Sequence, residues 1–173
     1  SGAHARHYLS TGADTPMRLL SLLLCCLLSV SALAAQPPID RLLIDKSERR
    51  LQIISNGEVL HQYRISLGRQ PVGPKRQQGD QRTPEGIYSI DWRHESAQYN
   101  LSLHLDYPNL KDRQAAFEAG IDDPGGMIMI HGTPIDEEYP EWYFKGLDWT
   151  NGCIALGNTE MRELWELVPD GTL

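Results

Sequence analysis

Between RLQIIS (50–55) and EVLHQYRIS (58–66) stands Asn56-Gly57, and this dipeptide constrains the fold more than any other stretch of the chain. A two-residue connection of the type I′ kind needs positive φ at both positions, which Asn and Gly tolerate, and its twist matches that of paired strands. An antiparallel hairpin is therefore predicted, with RLLIDK (41–46) as another short β-rich run beside it. Residues 69–82, RQPVGPKRQQGDQR, read as a polar loop punctuated by Pro and Gly. GIYSIDW (86–92) and NLSLHLDY (100–107) alternate apolar and polar residues, as strands half buried in an antiparallel sheet do. MIMI (127–130) is continuously apolar, hence a central strand that delivers His131 at its end. Helix is sparse. A short one is predicted over 110–119, closed by Gly120. Another is predicted over 159–167, capped by Asn158 and burying Met161, Leu164, Trp165 and Val168. The expected fold is mainly β, a mixed sheet or β-sandwich with a few short helices.

The amino-terminal part reads differently. MRLLSLLLCCLLSVSALAA (17–35) has the short positive start, apolar run and small-residue end of a secretory signal, with cleavage expected after Ala34 or Ala35. Its apolar run of about 15 residues falls short of the roughly 20 that span a bilayer. Cys25 and Cys26 follow bulky leucines, which argues against an acylation site. Residues 1–16 lack periodicity and are read as an upstream or cloning-derived segment. Residues 36–173 are thus expected to form one exported, periplasmic domain, which fits the size of a single core. Losing Arg6, Arg18 and Asp14 moves the formal net charge from −7 to −8, which argues against a nucleic-acid partner. Basic residues gather between Arg41 and Arg82, and acidic ones between Asp106 and Asp170. These are either two solvated faces or a basic rim for a substrate that carries carboxylates.

After signal removal Cys153 is the remaining cysteine, so no internal disulfide can form. It is either a small buried apolar residue or a thiol in use. A useful thiol nucleophile requires a base, a group that orients the base, and N–H donors for the oxyanion. His131 runs directly into Gly132, whose carbonyl can hold the imidazole in one tautomer. Gly152 lets the chain turn tightly before Cys153 and expose backbone N–H groups. His61, His94 and His104 fall at polar strand positions and read as surface residues. A single cysteine with scattered histidines lacks zinc-ligand spacing, so no metal is expected.

IHGT (130–133), an 18-residue spacer and TNGCIAL (150–156) together resemble the L,D-transpeptidases with a YkuD-type catalytic domain. GDQRTPEGIYSI (79–90), DYPN (106–109) with Asp112, and PGGMIMIHG (124–132) extend the resemblance to the Gram-negative branch over most of the mature chain. It implies an acyltransferase in which Cys153 is the nucleophile, His131 the base, Gly132 the carbonyl that orients it, and Gly152 with Cys153 the oxyanion donors. It also implies a peptidoglycan stem tetrapeptide as substrate, cleaved between diaminopimelate and D-alanine, and an amine as acyl acceptor. Arg82, Asn151, Tyr107 and Trp149 become candidate substrate-binding residues. No cofactor is implied. Carbapenem-type inhibitors, and a wall-attached protein as acceptor, are implied partners, and a monomer is expected.

Three positions depart from the family pattern. Asn151 replaces a histidine before Gly-Cys, and Ala155 replaces an arginine after it, leaving carboxylate binding to Arg82 or Lys75. The family pattern continues beyond PDGTL into a further strand, so the domain is expected to lack its last one. A thiol pKa depressed by His131 is also expected. The rival readings are an L,D-carboxypeptidase or other hydrolase of the same bond, and a catalytically silent peptidoglycan-binding module. Tyr139, Trp142, Tyr143 and Trp149 in the spacer form either a lid or packing anchors. Asp136-Glu137-Glu138 reads as solvated surface, and the sequon at Asn100 as chance.

Overall fold

The hairpin predicted from Asn56-Gly57 is present, with φ of 51° and 76° at the two residues as a type I′ turn demands. The structure is a computed structural model and describes residues 37–97, 100–135 and 138–173. The predicted signal and upstream segment, Asp136-Glu137 and the side chain of Asn100 lie outside these described residues. Strands β1 (Arg41–Asp45), β2 (Arg50–Ser55) and β3 (Glu58–Arg64) form one antiparallel sheet in that order. Strands β4 (Ile90–Ser96), β5 (Asn100–Leu105), β6 (Met129–His131) and β7 (Ile154–Ala155) form the second. Within it β4, β5 and β6 pair antiparallel, and β6 and β7 pair parallel.

The chain leaving β3 ties the two sheets together. Ser66 and Ala155 exchange both backbone hydrogen bonds at 2.9 Å, and Arg69 donates its N–H to the Thr150 carbonyl at 3.0 Å. The core follows from strand alternation. Leu51, Ile53, Tyr63, Ile65 and Leu67 meet Leu101, Leu103, Leu105, Ile130 and Ile154, with helix α3 (Asn158–Leu167) adding Met161 and Leu164. Removing several leucine-sized side chains from water, at about 1.5–3 kcal/mol each, is the main favourable contribution here.

Several local predictions shift. The helix predicted over 110–119 is α1 (Leu110–Glu118), started by a capping box between Asn109 and Asp112. Residues 86–89 do not join β4. Tyr88 instead donates its hydroxyl to Asp112 at 3.1 Å, and Ser89 donates its N–H to Asp106 at 2.8 Å. The MIMI strand begins at Met129, because Met127 takes a left-handed φ of 52° and turns its side chain outward. Asn158 does not cap α3: Gly157 holds that position. The Asn158 side chain bridges to Thr133 instead, accepting its N–H at 3.0 Å and donating to its hydroxyl at 2.9 Å. The spacer contains an unforeseen short helix, α2 (Glu141–Lys145).

Candidate active site

His131 ends β6, and Cys153 lies one residue before β7, so the parallel pairing of these strands brings the two together. The register sets Ile130 beside Ile154 and His131 beside Ala155. Cys153 is two residues before Ala155 and shares its side of the strand, an offset of about 6.6 Å at strand rise.

The imidazole of His131 is buried, with Nδ1 at 2.6 Å from the Gly132 carbonyl. A carbonyl can only accept, so Nδ1 carries the proton and Nε2 keeps its lone pair. Burial lowers the pKa of His131, and the Gly132 contact only partly opposes this, which favours a neutral ring. Trp149 meets the imidazole edge-on with centroids 5.6 Å apart, and Phe144 backs Trp149 at 5.1 Å.

The thiol differs from its sequence-based expectation. Burial raises the Cys153 pKa, and the Met129 N–H and the charge of Lys75 pull it only partly back. Its Sγ–H donates to the Met127 carbonyl at 3.5 Å, which favours the protonated form. A thiol depressed by pairing with His131 is therefore not what the resting site holds: a buried neutral imidazole supplies no positive charge.

Gly152 has a φ of 134°, and a Cβ placed there would come within 2.7 Å of the Arg82 carbonyl. Glycine is required for both reasons. Its N–H, expected to serve the oxyanion, is already donated to Thr150 Oγ1 at 3.1 Å, and the same hydroxyl donates to the Cys153 carbonyl at 2.7 Å. Thr150 thus locks the turn, a role its sequence position did not advertise.

The other expected residues divide. Tyr107 is only 3% exposed and donates its hydroxyl to the Pro124 carbonyl at 2.7 Å, so it supports the 123–126 loop from beneath and does not face a substrate. The Arg82 guanidinium lies beside Gly73, while its backbone forms the wall behind Gly152. Lys75 is not available to a carboxylate in solution. Its side chain is 2% exposed and pairs with Asp80 at 2.8 Å. Asn151 is exposed and accepts a hydrogen bond from Arg69 Nη1 at 2.6 Å. Arg69, missed in the sequence, therefore sets an exposed guanidinium beside the Cys153 turn; its polar-loop context gave no signal beyond charge. Ala155 is buried within β7. Glu138 is exposed, as expected. Among the described residues no cluster of His, Cys, Asp and Glu could hold a metal ion, and no helix is long and apolar enough to cross a membrane.

Two packed sheets that bring a carbonyl-held histidine to a cysteine on adjacent parallel strands define a cysteine–histidine domain on a β scaffold. The YkuD family, described as the L,D-transpeptidase catalytic domain, matches residues 39–173, and the chain belongs to this family. YafK of Escherichia coli strain K12, a protein named for the L,D-transpeptidases, is 29% identical over 131 residues, covering 72% of this chain and 45% of its own. The chain thus spans about half of that relative's length. Among solved structures, the helical cell shape determining protein Pgp2 of Campylobacter jejuni shares 25% identity with a TM-score of 0.56, over 80% of this chain and 50% of that one. Bd1075 of Bdellovibrio bacteriovorus has the same fold, with 24% identity and a TM-score of 0.55 over 76% of this chain and 45% of that one.

Proposed function

We propose that this domain is an exported peptidoglycan L,D-transpeptidase that acts on stem tetrapeptides. The observation that carries the reading is the 2.6 Å contact of His131 Nδ1 with the Gly132 carbonyl, which leaves Nε2 as a base on the strand beside Cys153. Nε2 takes the thiol proton as Sγ attacks the diaminopimelate carbonyl. The imidazolium returns that proton to the D-alanine nitrogen as the C–N bond breaks, leaving a thioester. An acceptor amine then attacks the thioester, gives a proton to Nε2, and leaves with the acyl group in a new amide while Cys153 recovers its proton. Because the thiol rests protonated, proton removal and attack are coupled. With the Gly152 N–H donated to Thr150, the Cys153 N–H is the adjacent backbone donor for the forming oxyanion, and Arg69 is an exposed cation beside this turn that can meet a stem carboxylate.

The test is incubation of the purified protein with disaccharide tetrapeptide, followed by mass spectrometry. A cross-linked dimer supports the reading. Tripeptide alone makes the protein a hydrolase, and unchanged substrate makes it a silent module. Cys153→Ala should remove activity by on the order of 10⁴-fold or more without unfolding the domain. A carbapenem should add covalently to the wild type and not to this variant; an adduct at any other residue overturns the assignment.

A further inference from the structure

The geometry points to a sugar-binding platform, formed by Trp92, His104 and Asp91 on the catalytic face of the second sheet, that holds the glycan to which the stem peptide is attached. The inference rests on the stem-peptide reading above. Strand alternation places the platform. Leu101, Leu103 and Leu105 of β5 point into the core, so Ser102 and His104 belong to the opposite face. His104 is paired with Trp92 on β4 and with Met129 on β6. Stepping the β6–β7 register back one residue from Ile130 and Ile154 sets Cys153 beside Met129. Trp92, His104, Met129 and Cys153 therefore form one row across the sheet.

The platform is built, not incidental. A register shift between Ile90 and Trp92 makes Asp91 the extra residue of a β-bulge, a device that re-aims side chains. Asp91 consequently joins the face that Trp92 also occupies, with Oδ1 at 2.5 Å from His104 Nδ1. The His104 side chain is only 12% exposed, so this histidine is not the plain surface residue its sequence position implied. It stacks parallel to the Trp92 ring, with centroids 4.3 Å apart and planes 12° apart, and His94 meets that ring edge-on at 6.4 Å. Trp92 nevertheless stays 39% exposed. A fixed, half-open indole with a carboxylate at its rim suits a pyranose, whose C–H face packs on the ring while its hydroxyls reach an acceptor. A carboxylate has about four lone-pair sites, so Asp91 can hold His104 and still accept from a hydroxyl.

The spacing fits the substrate. Three inter-strand steps separate Trp92 from Cys153, about 14 Å at ordinary strand spacing. The reacting carbonyl belongs to the third stem residue, and three extended residues reach about 10–11 Å before the link to the sugar is added.

The experiment uses the purified protein, its Trp92→Ala and Trp92→Phe variants, and two substrates: disaccharide tetrapeptide and the same tetrapeptide without sugar. For Trp92→Ala the KM for the disaccharide substrate should rise about tenfold, the scale of one aromatic contact. Its kcat, and both constants for the bare peptide, should hold. Trp92→Phe should keep most of the affinity. Equal losses on both substrates, or none on either, overturn the platform. In parallel, N-acetylglucosamine tetramer is titrated while the indole N–H resonance of Trp92 is followed by NMR. A saturable shift supports the site even if the wild type turns over neither substrate, an outcome that would sink the transpeptidase reading alone. An unmoved Trp92 resonance sinks the platform.

Discussion

The loop around Asp80 and the aromatic stretch 139–144 of the spacer are built on different principles. Asp80 accepts from Lys75 Nζ at 2.8 Å and from the backbone N–H groups of Arg76, Gln77 and Arg82 at 2.8, 3.1 and 3.1 Å. Burial alone would raise its pKa, but these donors outweigh it and hold the carboxyl at about 2. The spacer is anchored at its end by a carboxylate, where Asp148 accepts from Arg49 Nη2 at 2.7 Å and from the Leu67 N–H at 3.0 Å; before that it relies largely on rings. Tyr139 stacks on Tyr143 at 4.8 Å, Phe144 backs Trp149, and Trp142 is 73% exposed. A loop whose backbone forms the wall behind Gly152 is fixed by directional bonds to a buried anion. The stretch from Tyr139 to Phe144 is held largely by ring contacts, which can slide. The contrast assigns rigidity to the side of Cys153 and adaptability to the ring cluster around Tyr143.

The largest expected effect is at Asp80. Asp80→Ala leaves the Lys75 ammonium buried without its anion and should destabilise the fold by about 3–5 kcal/mol in urea unfolding. A loss below about 1 kcal/mol would erase the distinction between the two regions. The same carboxyl predicts an acid response. Its folded pKa lies below the ordinary 3.8, so its contribution is complete above that value and disappears as pH falls through about 2. Asp45 and Asp148 are depressed as well, so the informative quantity is the difference between wild type and Asp80→Asn, which should narrow over that window.

Gly152→Ala comes next. It combines a positive φ with a collision against the Arg82 carbonyl, and a loss of about 2–3 kcal/mol is expected. Stability equal to wild type would mean that the wall yields. Lys75→Gln should then act on chemistry: with that charge gone, the Cys153 pKa moves further up, and the pH profile of iodoacetamide alkylation moves with it. Lys75→Arg should restore the profile; a profile unmoved by Lys75→Gln would make the lysine purely structural. The smallest effect belongs to the spacer. Trp142→Ala should change stability by less than about 0.5 kcal/mol, because the ring is largely in water. A larger loss would show that the spacer is as fixed as the Asp80 loop.

What could be read in the sequence depended on how locally each feature is determined. The hairpin at Asn56-Gly57 was legible because one dipeptide satisfies both positive φ values, and α1 was legible because its residues and a closing glycine lie within one short stretch. Cys153 and His131 were legible as a pair only through the spacing they share with a family, since nothing local says that β6 and β7 are neighbours. Tyr107 was misassigned for the same reason: an aromatic after a strand reads alike whether its hydroxyl meets solvent or, as here, the Pro124 carbonyl. The β-bulge at Asp91 and the left-handed Met127 are set by register and by the chain packed beside them, and no propensity marks either. Asn158 is a fair N-cap by residue type, yet two hydrogen bonds to Thr133 outcompeted the one a cap would have made.

The contact between Gly152 and the main chain of Arg82 bears on how a protein of this kind can change over generations. Every amino acid carries a carbonyl, so position 82 can exchange its side chain and still present the same surface to the Cys153 turn. Position 152 admits no substitution on the same grounds. Substitution is better tolerated at residues such as Arg69 and Asn151, which are exposed beside the turn. A ligand that leans on this backbone would meet a surface that single codon changes cannot readily redraw, whereas one that relies on Arg69 or Asn151 would meet side chains that can be exchanged.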